Sequence, residues 1–180
     1  MPATPDWTVA DVYRHAAGVS HDTATGRMDG APGPAWTARH IAERADADIA
    51  AMVAELAGNT GAIGAAVADN PAPAVVWDIA VHHTDLHEAL GLPRLPERLW
   101  RPVLEAAAPR LLGSQQVSVT AGEATYGAGG PELEVSPYEL FRVLFSRRSR
   151  RQIAEWAGDA LDPEEVGVFG ARDDDQPDAD

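Results

Sequence analysis

Asn70-Pro71-Ala72-Pro73-Ala74-Val75-Val76-Trp77-Asp78-Ile79-Ala80-Val81-His82-His83-Thr84-Asp85-Leu86-His87-Glu88-Ala89-Leu90-Gly91 is the stretch on which the reading of this chain turns. Asn70 and Pro71 supply a helix start, and Gly91 with Pro93 beyond it a stop, so one helix is predicted from there to about Leu90. On a wheel of about 100° per residue, Val75, Ile79, His82, Leu86 and Leu90 fall on one stripe. His82 therefore points at a core. Asp78 lies one turn before it at the edge of the stripe, Asp85 lies beside both, and His83 and His87 fall at the rim or in solvent.

A carboxylate and a histidine four residues apart, facing the interior of a bundle, are expensive unless something satisfies them. Two solutions are open: a hydrogen-bonded Asp78–His82 pair tied to an arginine, or a divalent metal holding both as ligands. A third ligand would come from another helix. His15 is the best placed, about 60° from Val12 at the edge of an apolar stripe; beside Arg14 it also reads as a surface histidine. His21, near a helix end, and His40, near a helix start, read as ordinary exposed residues. The chain has no cysteine, so any transition-metal site is built from nitrogen and oxygen alone. Two histidines and a carboxylate with open positions suit zinc or another divalent ion in a catalytic role.

Working outward, Thr8 reads as the N-cap of a first helix, with Asp11 completing a carboxylate capping box and Trp7 preceding it as a staple. Val9, Val12, Ala16 and Val19 follow at helical spacing. Gly26 to Pro34 must be a loop. Thr37 opens a second helical stretch marked by Ile41, Ile49, Val53 and Leu56, interrupted around Ala45 to Asp48 and weak or broken again at Gly58 to Gly64. A further helix is expected over Pro96 to Leu112, with Pro102 and Pro109 disturbing it. Then the period changes. Val117, Val119 and Ala121 alternate, as do Leu133 and Val135, with glycines between, which predicts two or three short strands in a hairpin-like arrangement. Ser136-Pro137-Tyr138-Glu139 opens a last strong helix.

The fold class expected is mainly α: an up-down helical bundle with a small C-terminal α+β piece. The domains expected are residues 1–113 as the helical domain, 114–171 as the small α+β segment, and 172–180 as an acidic disordered tail.

The 180 residues carry 14 basic and 28 acidic groups, a net charge of −14. Five of the acids are aspartates between 173 and 180, and without them the rest still carries −9. Such a body repels nucleic acid and anionic membrane. No apolar run is expected to approach the roughly 18 residues of a membrane span, and no signal peptide opens the chain; a soluble cytoplasmic protein is expected. Every basic residue is arginine, which excludes lysine chemistry. Phosphate-binding glycine loops and the His-Glu-x-x-His and Gly-x-Ser-x-Gly motifs are all absent from the sequence. Arg147, Arg148, Arg150 and Arg151 read either as a solvated helix face or as a fork for a carboxylate-bearing small molecule.

Three segments resemble the mycothiol-dependent maleylpyruvate isomerase family, whose N-terminal domain is a DinB-like bundle. Pro5 to Gly18 (PDWTVADVYRHAAG) is similar to that family's P-G-W-T-V-x-D-V-x-x-H-L-A-G, and Asp78 to Gly91 resembles its carboxylate-x-x-x-His stretch followed by D-L-x-x-A-L-G. Tyr138 to Ile153 resembles its C-terminal E-L-x-R…G-R-R-S-R-x-Q-I. The resemblance implies a metal triad of His15, Asp78 and His82, the set the wheel also selects. It implies zinc as the metal and mycothiol as thiol cosubstrate, with Arg147, Arg148 and Arg150 holding substrate or thiol carboxylates. It further implies isomerisation by addition of the thiolate to a cis double bond, rotation and elimination. The sulfur would come from the cosubstrate, since the chain has none of its own in a cysteine.

Two departures stand out. The characterised isomerases carry Glu where this chain has Asp78, one methylene shorter. The family also places a further helix of about 25 to 30 residues ahead of the Trp-Thr segment. This leads to the expectation of a start further upstream, a partner chain, or an open bundle prone to form a homodimer. Partners expected are a small-molecule substrate and a thiol. The alternatives are a mycothiol S-transferase for detoxification and a non-catalytic metal-binding bundle.

Overall fold

The computed structural model describes residues 1–177. It is mostly helical, with one three-stranded sheet. The chain divides into two compact units, one holding Ala3–Leu86 and the other running on from His87. The change of sequence pattern near residue 113 thus marks where strands begin, while the units part within the helix that carries Asp78 and His82.

In the first unit α1 spans Val9–Thr25. Its start is the one the sequence encodes: the Thr8 hydroxyl accepts from the Asp11 N–H while the Asp11 carboxylate accepts from the Thr8 N–H. It ends at Gly26 in the left-handed conformation (φ 74°), which costs a residue without a Cβ nothing. α2 (Pro34–Glu43) begins three residues before the expected Thr37, because Pro34 sits in the first turn, where its missing N–H is not needed. α3 (Ile49–Val67) is capped by Asp48. It runs unbroken through Gly58, Gly61 and Gly64, where a break or a weak spot was expected: each glycine costs helix propensity only, about 1 kcal/mol, and α3 packs against α1.

α3 also overturns the expectation that no run is long and apolar enough to cross a membrane. An 18-residue window in it has a mean hydropathy of 1.3, sufficient by length and composition, with 11% of the window buried. Alanines spread the hydrophobicity thinly, so the run does not read as apolar by eye. Glu55 within it meets Arg44 at 2.5 Å.

α4 (Ala74–Ala89) starts later than Asn70. The Asn70 side chain accepts from the Ala72 N–H and forms a local turn instead of a cap. Val19 of α1, Trp36 of α2 and Val75 of α4 form a buried apolar cluster, with Ile63, Val67 and Ile79 packed against it. This cluster fixes the face that α1, α2 and α4 turn toward one another.

In the second unit a 3₁₀ turn (Glu97–Leu99) precedes α5 (Arg101–Leu111). This splits the single helix expected over Pro96 to Leu112. Pro102 falls at the start of α5 and Pro109 in its last turn. β1 (Ser118–Ala121) pairs antiparallel with β2 (Ala124–Gly127), a strand in the glycine-bearing stretch that the alternation leaves unmarked, so the hairpin does not join the two stretches that alternate. β3 (Glu132–Val135) pairs parallel on the other edge of β1, which alternation in sequence does not encode. α6 (Pro137–Leu144) is capped by Ser136 and buries Leu140, Phe141 and Leu144 completely, each contributing about 1.5–3 kcal/mol. α7 (Arg150–Ala157) opens with a Ser149–Gln152 capping box, and α8 (Pro163–Val166) follows.

The segment expected to be a disordered tail is tied down as far as Gln176. The Ser149 hydroxyl donates to Asp175 at 2.5 Å, and Gln152 exchanges hydrogen bonds with the Gln176 backbone at 2.8 and 3.0 Å. Residues 178–180 of that expected tail lie outside the described residues.

Candidate metal centre

α1 presents His15 and α4 presents Asp78 and His82 to the same point. The ligating atoms of the three side chains all lie within 4.8 Å of one another. His15 Nε2 stands 3.3 Å from Asp78 Oδ1, and His82 Nε2 stands 3.7 Å from the same oxygen. Ligands about 2.0–2.1 Å from a tetrahedral zinc ion are about 3.4 Å apart, so the spacing suits one. Both histidines are buried (4% and 7% exposed), whereas a quarter of the Asp78 side chain remains accessible.

The backing of His82 decides which of its nitrogens faces the site. Nδ1 lies 3.1 Å from Asp85 Oδ2, a buried carboxylate one turn on. A carboxylate can only accept, so Nδ1 carries the hydrogen and Nε2 presents a lone pair toward Asp78. This is the carboxylate–histidine arrangement that metal sites use to fix a ligand's tautomer. Two imidazole nitrogens and a carboxylate oxygen brought within 4.8 Å of one another are a nitrogen–oxygen donor set of the kind that holds such ions. The residues therefore fit a divalent ion.

Trp7, just ahead of the α1 cap, covers both imidazoles. Its ring centre is 5.0 Å from that of His15 and 5.6 Å from that of His82. The indole keeps one side of the site apolar.

His40 corrects an expectation. It is fully buried, with Nδ1 3.3 Å from His15 Nδ1 and Nε2 2.9 Å from Asp22 Oδ2. Arg39 meets the same Asp22 oxygen at 2.5 Å, and Trp36 packs edge-on against the His40 ring at 4.2 Å. Burial holds the His40 imidazole below its ordinary pKa, outweighing the hydrogen bond to Asp22, so His40 is neutral. Burial pushes the Asp22 carboxyl up, but the bond from His40 and the charge of Arg39 outweigh it and keep it below the usual carboxylate range. Periodicity places His40 near a helix start and carries no sign of the hollow that receives it. Of the other histidines, His21, expected to be exposed, is half-buried beside Glu55 at 3.6 Å, His83 is exposed, and the His87 ring lies 2.7 Å from the Pro93 carbonyl.

The arginines singled out in the sequence lie in the second unit. Arg147 and Arg148 are buried rather than on a solvated face. Arg147 donates to the Phe145 carbonyl at 2.8 Å, and Arg148 Nε donates to the Glu139 carboxylate at 2.8 and 2.9 Å. Arg150 lies at the surface, paired with Glu164 and, at 3.1 Å, with Asp173. The buried core of this cluster carries no sign in the sequence pattern. There Arg142 donates to Glu88 at 2.6 Å and the Tyr138 hydroxyl donates to the same carboxylate at 2.8 Å. The fold thus supplies each of these arginines with acceptors of its own.

In comparisons with known proteins, no family model, no curated protein and no solved structure matches this chain.

Proposed function

We propose that the protein binds a divalent cation, zinc by the character of the donors, through His15, Asp78 and His82, and uses it in the chemistry of a small thiol. The observation that carries the first half is the convergence of two buried imidazoles and one accessible carboxylate within 4.8 Å, with Asp85 fixing the tautomer of His82. The thiol half is supported by the resemblance of three segments to the mycothiol-dependent, DinB-like isomerases, and by a chain with no cysteine of its own.

A bound divalent ion lowers the pKa of a thiol and holds the thiolate in place. The chain's residues do the rest. His15 and His82 would hold the ion through their Nε2 atoms, and Asp78 adds a carboxylate on the accessible side of the site. Asp85 keeps the proton on His82 Nδ1, and Trp7 excludes water from one wall. Asp78, one methylene shorter than glutamate, would hold the ion nearer to α4. The substrate class that fits is an unsaturated acid with a cis double bond, isomerised by thiol addition, rotation and elimination. The second class is an electrophile that keeps the sulfur.

Turnover assays separate these. Zinc-loaded protein with mycothiol is expected to convert either maleylpyruvate or an alkylating electrophile, and Asp78→Ala is expected to abolish the conversion. Turnover independent of thiol or unchanged in Asp78→Ala would refute the proposal. Zinc bound without turnover on either panel would leave a binding protein and refute the enzymatic half.

A further inference from the structure

We infer that the outer face of α3 is an interface between two copies of this chain, packed antiparallel about a two-fold axis at Ala57. This is independent of the metal-binding reading. The inner face of α3 is already used: Met52 is buried, and Ile63 and Val67 pack on the cluster of Val19, Trp36 and Val75. At about 100° per residue, Gly61 lies opposite Met52, and an arc of about 100° around it carries Ala50, Val53, Ala54, Ala57 and Gly64. All six residues of that arc are exposed. A continuous apolar face along a whole helix is the kind of surface that proteins use for association.

Charge and shape decide what covers it. Glu55 is the one ionisable residue of α3, half-buried and paired with Arg44 at 2.5 Å, so the outer arc bears no charge. The chain as a whole carries −14. Two copies of such a body repel one another over acidic surfaces, and this face lets them meet without like charges in contact. A bilayer is the poorer occupant, because Met52, Ile63 and Val67 hold α3 against its own unit and an anionic surface repels the chain.

The face is also complementary to itself in one orientation. Its large exposed side chain, Val53, stands four residues before Ala57, and Gly61 stands four after it. A Cβ on Gly61 or on Gly64 would meet nothing within 4 Å. A two-fold axis at Ala57 therefore sets Val53 of each copy over Gly61 of the other, and Ala50 over Gly64. Parallel pairing would set valine against valine and leave glycine facing glycine across a gap. The antiparallel pair also opposes the two helix dipoles, and it is closed at two copies. Over its length of ~28 Å the helix offers each copy on the order of 300 Å², less than the roughly 800 Å² per partner of a standard interface. The pair is thus weak and depends on concentration.

Sedimentation velocity on the full chain, from micromolar to millimolar concentration, tests this. The chain should pass from monomer to a species of twice the mass. Rising salt should favour the pair, because this register brings Asp48 of each copy toward Asp69 of the other. Gly61→Glu, which puts a charge at the middle of the arc and improves helix propensity, should keep its helical circular dichroism and remain monomeric throughout. The chain has no cysteine, so single substitutions report the register under mild oxidation. Ala57→Cys should cross-link to itself; Ala50→Cys, whose two copies would lie ~21 Å apart, should not. A chain that stays monomeric at millimolar concentration would overturn the inference, as would a dimer that persists in Gly61→Glu or one that salt dissociates. Self-linking of Ala50→Cys would overturn the antiparallel register. Co-sedimentation of a monomeric chain with phosphatidylcholine vesicles, lost in Gly61→Glu, would give the face to a bilayer and overturn it too.

Discussion

His82 donates from Nδ1 to Asp85 Oδ2 at 3.1 Å, one turn along α4, and that bond turns Nε2 toward Asp78 and His15. Asp85 is buried, so water does not compete for it. Outer partners of this kind commonly account for a large part of a ligand's affinity for metal. Asp85→Asn, whose amide can present either an acceptor or a donor to Nδ1, is expected to weaken zinc binding about 10-fold or more. Chelator competition on folded protein checks this; unchanged affinity would show that His82 is oriented by something else.

Two glycine-to-alanine changes on neighbouring helices should act in opposite directions. At Gly18 a methyl group would meet the His40 ring at 2.2 Å, and over-packing of this kind costs about 1–3 kcal/mol. At Gly58, within α3, a methyl group meets nothing within 4 Å, and alanine there should stabilise by about 0.5–1 kcal/mol. Denaturant unfolding of both variants measures the pair. Equal signs would contradict the packing described between α1 and α2.

Stability should fall in two steps on acidification. Burial keeps the His40 pKa below its ordinary 6.5, so the folded state binds fewer protons there than the unfolded chain. That contribution is whole above about pH 6.5 and is lost as pH falls from there toward the lower folded value. Asp11, held down by its hydrogen bonds with Thr8, and Asp22, held down against burial by His40 and Arg39, start from 3.8. Their contributions are present above that value and are lost as pH falls through their lower folded pKa values. Thermal unfolding of metal-free protein across the acid range should resolve both steps, and His40→Leu should flatten the upper one.

Glu88 carries the charge balance of the second unit's interior. It accepts from Arg142 and Tyr138, both buried. Removing its charge by Glu88→Gln takes away the carboxylate that accepts from the buried Arg142 and is expected to cost about 3–5 kcal/mol. Glu155→Gln, which breaks a surface pair with Arg151, where both side chains are about 60% exposed, should change stability by about 0.5 kcal/mol at most. Denaturant unfolding of the two variants checks the contrast.

The parts legible in sequence are those that local rules encode. Thr8 and Asp11 specify the start of α1, and Ser136 the start of α6. The 3.6-residue period of α4 aims His82 inward, with Asp78 at its edge. His15, Asp78 and His82 could be chosen because each lies on or beside an apolar stripe. His40 could not, because its burial depends on a missing Cβ 22 positions earlier on another helix. The burial of Arg142 and Arg148 was hidden for a related reason: arginine marks surface unless its carboxylates are known, and Glu88 lies 54 residues from Arg142. The parallel pairing of β3 with β1 and the unbroken path of α3 through three glycines are likewise set by neighbours distant in sequence.

The most direct test of the account is metal content per chain, by plasma mass spectrometry on protein purified without a metal-binding tag. His82→Ala and Asp78→Ala would be measured alongside. The account predicts close to one zinc or other divalent ion per wild-type chain and loss of that ion in both variants while their helical circular dichroism persists. A folded wild-type protein that holds no divalent ion, even after incubation with zinc, would contradict it and leave His15, Asp78 and His82 as a hydrogen-bonded cluster.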